Sequence, residues 1–310
     1  TASYGEQYLS TAEVNKNGIS VDSLAYSFGL RDGDKIISVD GKYVENFYKI
    51  PLELVLDNTQ YIEVERDGEN IKVYLPDDAV RKILKHQTSF INYRSKFVVS
   101  EVLGGESAEK AGIMVGDRII GINDMATPYF QDFRREIVNY TNQDIDVLLV
   151  RDSDTITCRV YVPENGTIGV VTSFDLEFST KEYTFWQAVP RGFSRTFNEI
   201  SDYWKQVKLI FTPSTGAYES LGGFIAIGRI FPDSFQWEQF WRMTALLSVI
   251  LAVMNILPIP GLDGGHVLFL LFEVVTRRKL SDKFIEKATT VGFIFLLILI
   301  IYANGNDVVK

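Results

Sequence analysis

The sequence predicts a multidomain chain in which two small, β-rich α+β domains precede an all-α transmembrane region of two spans. Three observations lead to this fold class. Residues up to about 165 are charged and strand-like, a short pattern occurs twice within them, and two long apolar runs lie beyond Thr244. One chain therefore combines a half suited to water with a half suited to lipid.

The repeated pattern lies in the charged half. GLRDGDKIISVDGK (29–42) and GIMVGDRIIGINDM (112–125) align without gaps and share two glycines, an aspartate and two isoleucines. Each copy follows a short helix-like stretch and precedes an amphipathic helix and a pair of strands. In the first copy, Asp67-Gly68 is a hairpin signal between those strands. The repeat predicts two domains of the same fold.

The chain has one cysteine, Cys158, which excludes an internal disulfide framework. Cys158 alternates with Ile156, Val160 and Val162 along a predicted strand. We therefore expect Cys158 to be a buried small hydrophobic residue rather than a reactive thiol.

Both repeats resemble PDZ domains of the bacterial, protease-associated type, whose AGL..GD.I..ING signature they carry. The resemblance implies a lead-in at 1–15, a first PDZ domain at 16–80, a linker at 81–91 and a second PDZ domain at 92–165. PDZ domains often bind an extended peptide as an added strand, so peptide tails are candidate partners. The usual carboxylate-binding loop is not recognisable, which leaves a spacer or size filter equally open.

The apolar runs extend from Ala245 to Val275 and from Phe284 to Ala303, and each is long enough to cross a bilayer as a helix. The loop from Arg277 to Lys287 carries five basic residues against two acidic ones, which predicts a cytoplasmic location. Everything before Thr244 and the tail NGNDVVK would then face the opposite side. The net charge of −9 gives no reason to expect a nucleic-acid partner. We assign 166–238 to a juxtamembrane amphipathic segment and 239–310 to the transmembrane region.

The first apolar run is interrupted by the polar and helix-breaking sequence NILPIPGLDGGH (255–266). Pro258 and Pro260 should break the helix, and a break is tolerated at membrane depth only where protein or water covers the backbone. Asp263 is expensive at that depth unless it is paired or functional. An interhelical hydrogen bond or an interfacial position are the alternatives to a functional role.

The interruption resembles the NxxPxPxLDG motif of site-2 proteases, which are intramembrane zinc metalloproteases. LGGFIAIG (221–228) is similar to the GPIGIA stretch of that family, and WQAVPRGFSRTF (186–197) is similar to its EAxxxGxxxT juxtamembrane helix. The order of the segments resembles the regulator-of-sigma-E type. The resemblance implies that Asp263 is a zinc ligand and that Asn255, Pro258 and Pro260 hold the substrate.

The resemblance also implies a location and partners. The location would be the bacterial inner membrane, with the PDZ domains on the periplasmic side and membrane lipid around the spans. The substrate would be a single-span membrane protein, such as an anti-sigma factor or a leftover signal peptide.

The sequence departs from the family at the His-Glu-x-x-His motif, which supplies two zinc ligands and the general base. His86 is followed by Gln-Thr-Ser and His266 by Val-Leu-Phe, so no catalytic residue is assigned in this chain. His266 follows Asp263 at helical spacing but matches no family ligand, and we expect it to be structural. The same two histidines give no support for a serine protease, whose triad needs His with Ser and Asp in a protease domain.

Two hypotheses follow from this departure. The chain is the C-terminal part of an active protease whose N-terminal region is missing, which a start without Met favours, or it is an inactive, PDZ-bearing membrane adaptor. A transporter half is disfavoured, because two spans leave no inverted repeat.

Overall fold

The computed structural model describes residues 4–86, 88–173, 175–231 and 234–309, so the first three residues of the predicted lead-in lie outside the described residues. The chain divides into two compact units. A β-rich unit contains Gly5–Ala79 and His86–Glu182, and a helical unit contains Thr1–Tyr4, Val80–Lys85 and Tyr183–Lys310. This division confirms the prediction of a β-rich N-terminal part and a helical C-terminal part.

The first repeat and its flanks contain six strands and four short helices: β1 Tyr4–Leu9, α1 Thr11–Val14, β2 Ile19–Val21, α2 Ser23–Phe28, β3 Lys35–Val39, α3 Ile50–Leu56, β4 Tyr61–Arg66, β5 Glu69–Tyr74, α4 Ala79–Lys85 and β6 Ile91–Tyr93. Strands β3, β4 and β5 form one sheet, and β2 pairs with β6. The predicted hairpin is confirmed, because Asp67 and Gly68 connect β4 to β5 with φ of 53° and 85°.

The second repeat and its flanks contain seven strands and two helices: β7 Phe97–Val102, α5 Ser107–Lys110, β8 Arg118–Ile122, β9 Met125–Ala126, α6 Phe130–Ile137, β10 Gln143–Arg151, β11 Asp154–Val162, β12 Val170–Ser173 and β13 Phe178–Tyr183. The sheet order is β11-β10-β8-β7-β12, with β9 beside β8. Cys158 lies in β11 within the apolar core of this sheet, which confirms its predicted burial.

In each repeat, a strand that follows the hairpin, the closing strand, pairs with the first strand of the repeat. Ile19 of β2 pairs with Tyr93 of β6, and Val102 of β7 pairs with Val170 of β12. Strand β6 lies across the predicted domain boundary at residue 91, and α4 lies largely within the predicted linker. Strand β1 pairs with β13, so the segment before the first repeat joins the segment after the second.

Ion pairs connect the two repeats within the β-rich unit. Arg135 of α6 donates to Asp32 at 2.9 Å and to the hydroxyl of Ser20 at 3.3 Å. Arg94, which directly follows β6, pairs with Asp132 of α6 at 3.2 Å. These pairs therefore link α6 of the second repeat to β6 and to the loop before β3, in line with both repeats belonging to one compact unit.

The helical unit contains α7 Phe185–Ile210, α8 Phe224–Arg229, α9 Trp237–Ile256, α10 Asp263–Thr276 and α11 Asp282–Val309. Among the described residues, two helical segments are long and apolar enough to cross a membrane, Gln239–Ile256 and Asp282–Val308. Most of their side chains are exposed, as expected for helices whose apolar faces contact lipid.

Candidate functional site

The first apolar run is interrupted where the prolines predicted. Helix α9 ends at Ile256 and α10 begins at Asp263, and residues 257–262, the break loop, connect them. Ile259 donates its amide to Leu257 O at 2.7 Å, and Leu262 donates to Ile259 O at 3.0 Å. Pro258 and Pro260 have no N–H to continue the helix. The predicted break is therefore confirmed.

Glycines of α10 allow the break loop to lie close to the start of that helix. A Cβ added to Gly264 would lie 2.5 Å from the carbonyl oxygen of Ile256, and one added to Gly265 would lie 2.5 Å from that of Ile259. Real Cβ atoms do not approach backbone so closely. The two glycines of LDGG are thus required by the return of the chain onto α10.

The predicted site residues lie in the break loop or directly beside it. Asp263 is the first residue of α10 and is exposed, and its carboxylate makes no hydrogen bond or ion pair with the described residues. Its negative charge is favourable at a helix N-terminus. Asn255 is half-buried in the last turn of α9, Pro258 is exposed, and Pro260 is half-buried. The break therefore presents an amide, a carboxylate and non-helical backbone within nine consecutive residues.

The two histidines lie in different environments. His266 is exposed on the first turn of α10, and its ring contacts that of Phe269 at a centroid distance of 6.2 Å. His86 contacts the carboxylate of Asp22, which caps α2, and lies 3.0 Å from the hydroxyl of Thr88. His86 therefore belongs to the β-rich unit and not to the break.

The side chains near the break do not complete a zinc site. No group of three or more His, Cys, Asp or Glu in the part of the chain that the structure describes could hold a metal ion. A catalytic zinc site uses three protein ligands. Asp263 fits as one oxygen ligand, and His266 lies one helical turn further on, but no third His, Cys, Asp or Glu joins them among the described residues.

An open groove of about 470 Å³ lies beside the break loop. One wall is the last two turns of α7, with Trp204, Val207 and Phe211, and the other wall includes Pro258 and Ile259. The lining surface is almost entirely apolar, and Lys208 and Thr212 are the polar residues that contribute to it. Pro258 therefore lies in the wall of an open, largely apolar groove.

Sequence reasoning missed the C-terminal turns of α11, which it assigned to a tail. Asn304 accepts a hydrogen bond from Phe224 N at 3.2 Å, and Asp307 accepts from Ile225 N at 3.0 Å and from Ala226 N at 3.1 Å. These bonds cap α8, which lies in the LGGFIAIG stretch. The sequence signal for these capping residues was the polar run Asn-Gly-Asn-Asp (304–307), which directly follows the apolar run.

The chain matches the model of peptidase family M50 over residues 24–299. It is 28% identical over 216 residues to a Clostridium perfringens protein named "Putative zinc metalloprotease", covering 68% of this chain and 63% of that protein. It is 29% identical over 228 residues to the regulator of sigma E protease of Haemophilus influenzae, covering 69% of this chain and 50% of that protein.

A longer alignment links the chain to a Borreliella burgdorferi protein, also named "Putative zinc metalloprotease". The two are 25% identical over 303 residues, which cover 95% of this chain and 67% of that protein. For four other relatives the chain likewise spans 60–64% of the length of the curated protein. The similarity therefore includes both the β-rich unit and the break.

Proposed function

Because the chain belongs to peptidase family M50, the site-2 protease family, we propose that it forms the substrate-holding part of an intramembrane zinc metalloprotease and supplies one metal ligand. The break between α9 and α10 carries this proposal. It places Asn255, Pro258, Pro260 and Asp263 around one loop in a region that is otherwise suited to lipid.

The roles follow from the chemistry of each group. Asp263 offers a carboxylate oxygen, a ligand that zinc accepts alongside imidazoles. The remaining ligands and the general base would come from a polypeptide segment other than these 310 residues. Bound zinc supplies Lewis-acid activation of the water that attacks the peptide bond. The amide of Asn255 can donate to a carbonyl of an unwound substrate, and the break loop around Pro258 and Pro260 leaves room for that substrate beside the groove.

We propose that the substrate is a single-span membrane protein, such as an anti-sigma factor or a signal-peptide remnant, cut in the bacterial inner membrane. The apolar groove beside Pro258 supports a substrate of this kind, since the side chains of a membrane span are themselves apolar. The two repeats would be PDZ domains on the periplasmic side that act as a size filter or capture peptide tails. Their shared fold around the GD signature supports this identity.

Helix α7 supports a position at the membrane surface. Trp186, Phe193 and Phe197 are exposed on one face, and Arg191 and Arg195 lie on the opposite face. An amphipathic helix of this pattern lies in the plane of the interface with its aromatic face toward lipid. Membrane lipid is therefore a proposed partner of α7 as well as of the spans.

The test uses variants of this chain within a cleavage-competent assembly and a tagged single-span substrate. Asp263→Ala should abolish cleavage, because it removes a ligand. Asn255→Ala should only weaken cleavage, since losing one hydrogen bond costs about 1–3 kcal/mol. Asp282→Ala is the matched control, an aspartate at the start of another helix, and should leave cleavage unchanged. Full cleavage by Asp263→Ala would refute the assignment.

A second candidate function is a non-catalytic membrane adaptor that presents partner tails through the two repeats. The lack of a metal-binding group of three or more His, Cys, Asp or Glu among the described residues favours it. An adaptor would bind the single-span protein equally well with and without the Asp263→Ala substitution, and no assembly containing it would cleave that protein.

A further inference from the structure

Gly292 of α11 faces the break loop. A Cβ added to Gly292 would overlap the carbonyl oxygen of Pro260. The hydrogen that occupies this position in glycine therefore points at that oxygen. Gly292 is the one glycine in the predicted span 284–303, and nothing in its immediate sequence marks it as part of the site.

The neighbouring backbone of the break loop packs on the same face of α11. Gly261 has φ of +105°, a conformation that favours glycine, and a Cβ there would lie 3.4 Å from Phe293 N and 3.6 Å from Thr289 O. Two consecutive residues of the loop, Pro260 and Gly261, thus rest on about one turn of α11. The contact is backbone against backbone, which leaves little freedom for adjustment.

This contact reduces the exposure of unpaired backbone to hydrocarbon, which is the main free-energy cost of breaking a helix at membrane depth. The carbonyl of Pro260 lies in a segment without helical hydrogen bonds, and an unsatisfied carbonyl in hydrocarbon costs several kcal/mol. The Pro260 carbonyl occupies the space that any side chain at position 292 would fill. Only glycine lets the two backbones approach this closely, so that protein rather than hydrocarbon covers the loop. The face of α11 at Gly292 therefore both covers and orients the loop.

We propose that Gly292 is a positioning residue for the break loop, and that α11 thereby fixes the loop that carries Pro258 and Pro260 and leads into Asp263. The proposal rests on the proposed function for its consequence in cleavage. Its structural part, that Gly292 sets the conformation of the break loop, can be tested without any metal or substrate.

The first experiment uses the 310-residue chain with Cys158→Ser. A trifluoromethyl thiol tag is placed at Ile256→Cys, an exposed position beside the loop, or at Lys279→Cys, a distant exposed position. In ¹⁹F NMR, Gly292→Ala should shift or split the resonance at position 256 and leave that at 279 unchanged. Gly305→Ala is the matched control, because it lies on the same helix and a Cβ there meets nothing within 4 Å.

Each outcome of this experiment decides the structural part. An unchanged resonance at position 256 in Gly292→Ala, or an equal shift in Gly305→Ala, would overturn it. Changes at both 256 and 279 would also overturn it, since Gly292 would then support the whole fold rather than the loop.

The second experiment measures kcat and KM in a cleavage-competent assembly. Gly292→Ala should lower kcat about tenfold or more through a misplaced loop, while Gly305→Ala should stay within about twofold. An unchanged kcat in Gly292→Ala with an altered ¹⁹F spectrum would overturn the positioning role. If instead Asp263→Ala retained cleavage, the proposed function would fail while the spectra would still report on the loop.

Discussion

Asp34 and Asp117 are the repeated aspartates of the two GD signatures, and both are almost completely buried, with 1% of their surface exposed. Each is held by an arginine from a later strand: Arg66 Nε lies 2.7 Å from Asp34, and Arg151 Nε lies 2.8 Å from Asp117. The arginines also donate to a backbone carbonyl at the end of the preceding helical turn, each at 2.8 Å. A buried carboxylate with these partners holds the turn before the strand in place.

The pair at Asp117 predicts a dependence of stability on pH. Burial opposes ionisation, but hydrogen bonds from Arg151 and from Met114 N outweigh it, and the pKa of Asp117 is lowered. A carboxylate whose folded pKa is depressed contributes stability above its unfolded pKa, about 3.9, and loses that contribution as pH falls through the folded pKa. The free energy of unfolding of the β-rich unit should therefore fall below about pH 4.

Asp117→Asn should lower that free energy by about 1–3 kcal/mol at neutral pH and flatten its decline in acid. The measurement is hydrogen exchange of β10 and β11 amides in the full chain. Asp144→Asn is the control, since its pair with Arg159 is exposed at 3.7 Å, and it should cost less than about 1 kcal/mol. Equal effects of the two substitutions would contradict the role of burial.

Residues whose role depends on local sequence could be predicted, and residues whose role depends on distant partners could not. Asn255, Pro258, Pro260 and Asp263 lie in one contiguous motif, so the sequence predicts their proximity. Gly292 acquires its role only through the approach of Pro260 from another helix. A pattern along α11 cannot indicate which face of that helix another backbone will approach.

Among the elements, the helix ends beside the break loop were predicted most accurately from the sequence. Proline removes a backbone donor, and the glycines of α10 allow the loop to pack closely against that helix. The second apolar run differed. It was predicted to end at Ala303, but α11 continues to Val309. In these added turns, the side chains of Asn304 and Asp307 accept hydrogen bonds from the backbone of α8. Likewise, β1 and β13 pair although more than half of the chain length separates them in sequence. The partner of either strand cannot be inferred from its own segment alone.

The cap of α8 gives a prediction for that element. Asp307→Ala removes the acceptor of the Ile225 and Ala226 amides, so the first turn of α8 should fray. Hydrogen exchange at these two amides should accelerate. Asp307→Asn, which retains an acceptor oxygen, should have a smaller effect. Protection that is unchanged in Asp307→Ala would show that the cap is not needed.

The whole chain offers too few metal ligands for a catalytic zinc site. Asp263 with His266 provides at most two ligands, so the 310-residue chain alone should lose zinc to a moderate chelator and cleave nothing. Co-expression with a membrane segment that carries His-Glu-x-x-His should restore zinc and cleavage if the two associate. Metal analysis after dialysis makes the comparison. One zinc per chain that Asp263→Ala removed would contradict the prediction and implicate His266.

The basic loop and the β-rich unit should lie on opposite sides of the membrane. In a Cys158→Ser background, cysteine at Ser281, in the basic loop, should resist an impermeant thiol reagent in cells stripped of any outer barrier. Cysteine at Glu164, exposed in the β-rich unit, should react. The reverse pattern would place the two repeats in the cytoplasm.

The closing strands have a consequence for synthesis on the ribosome. Because β2 pairs with β6, the first repeat stays incomplete until residue 93 has emerged, and β7 must likewise wait for β12. The pairing of β1 with β13 waits longer still. Such distant pairings form slowly and leave strand edges exposed in the meantime. The nascent chain should therefore carry an unpaired β1 until β13, which directly precedes α7, has emerged as well. During this period a chaperone could bind the exposed edge of β1.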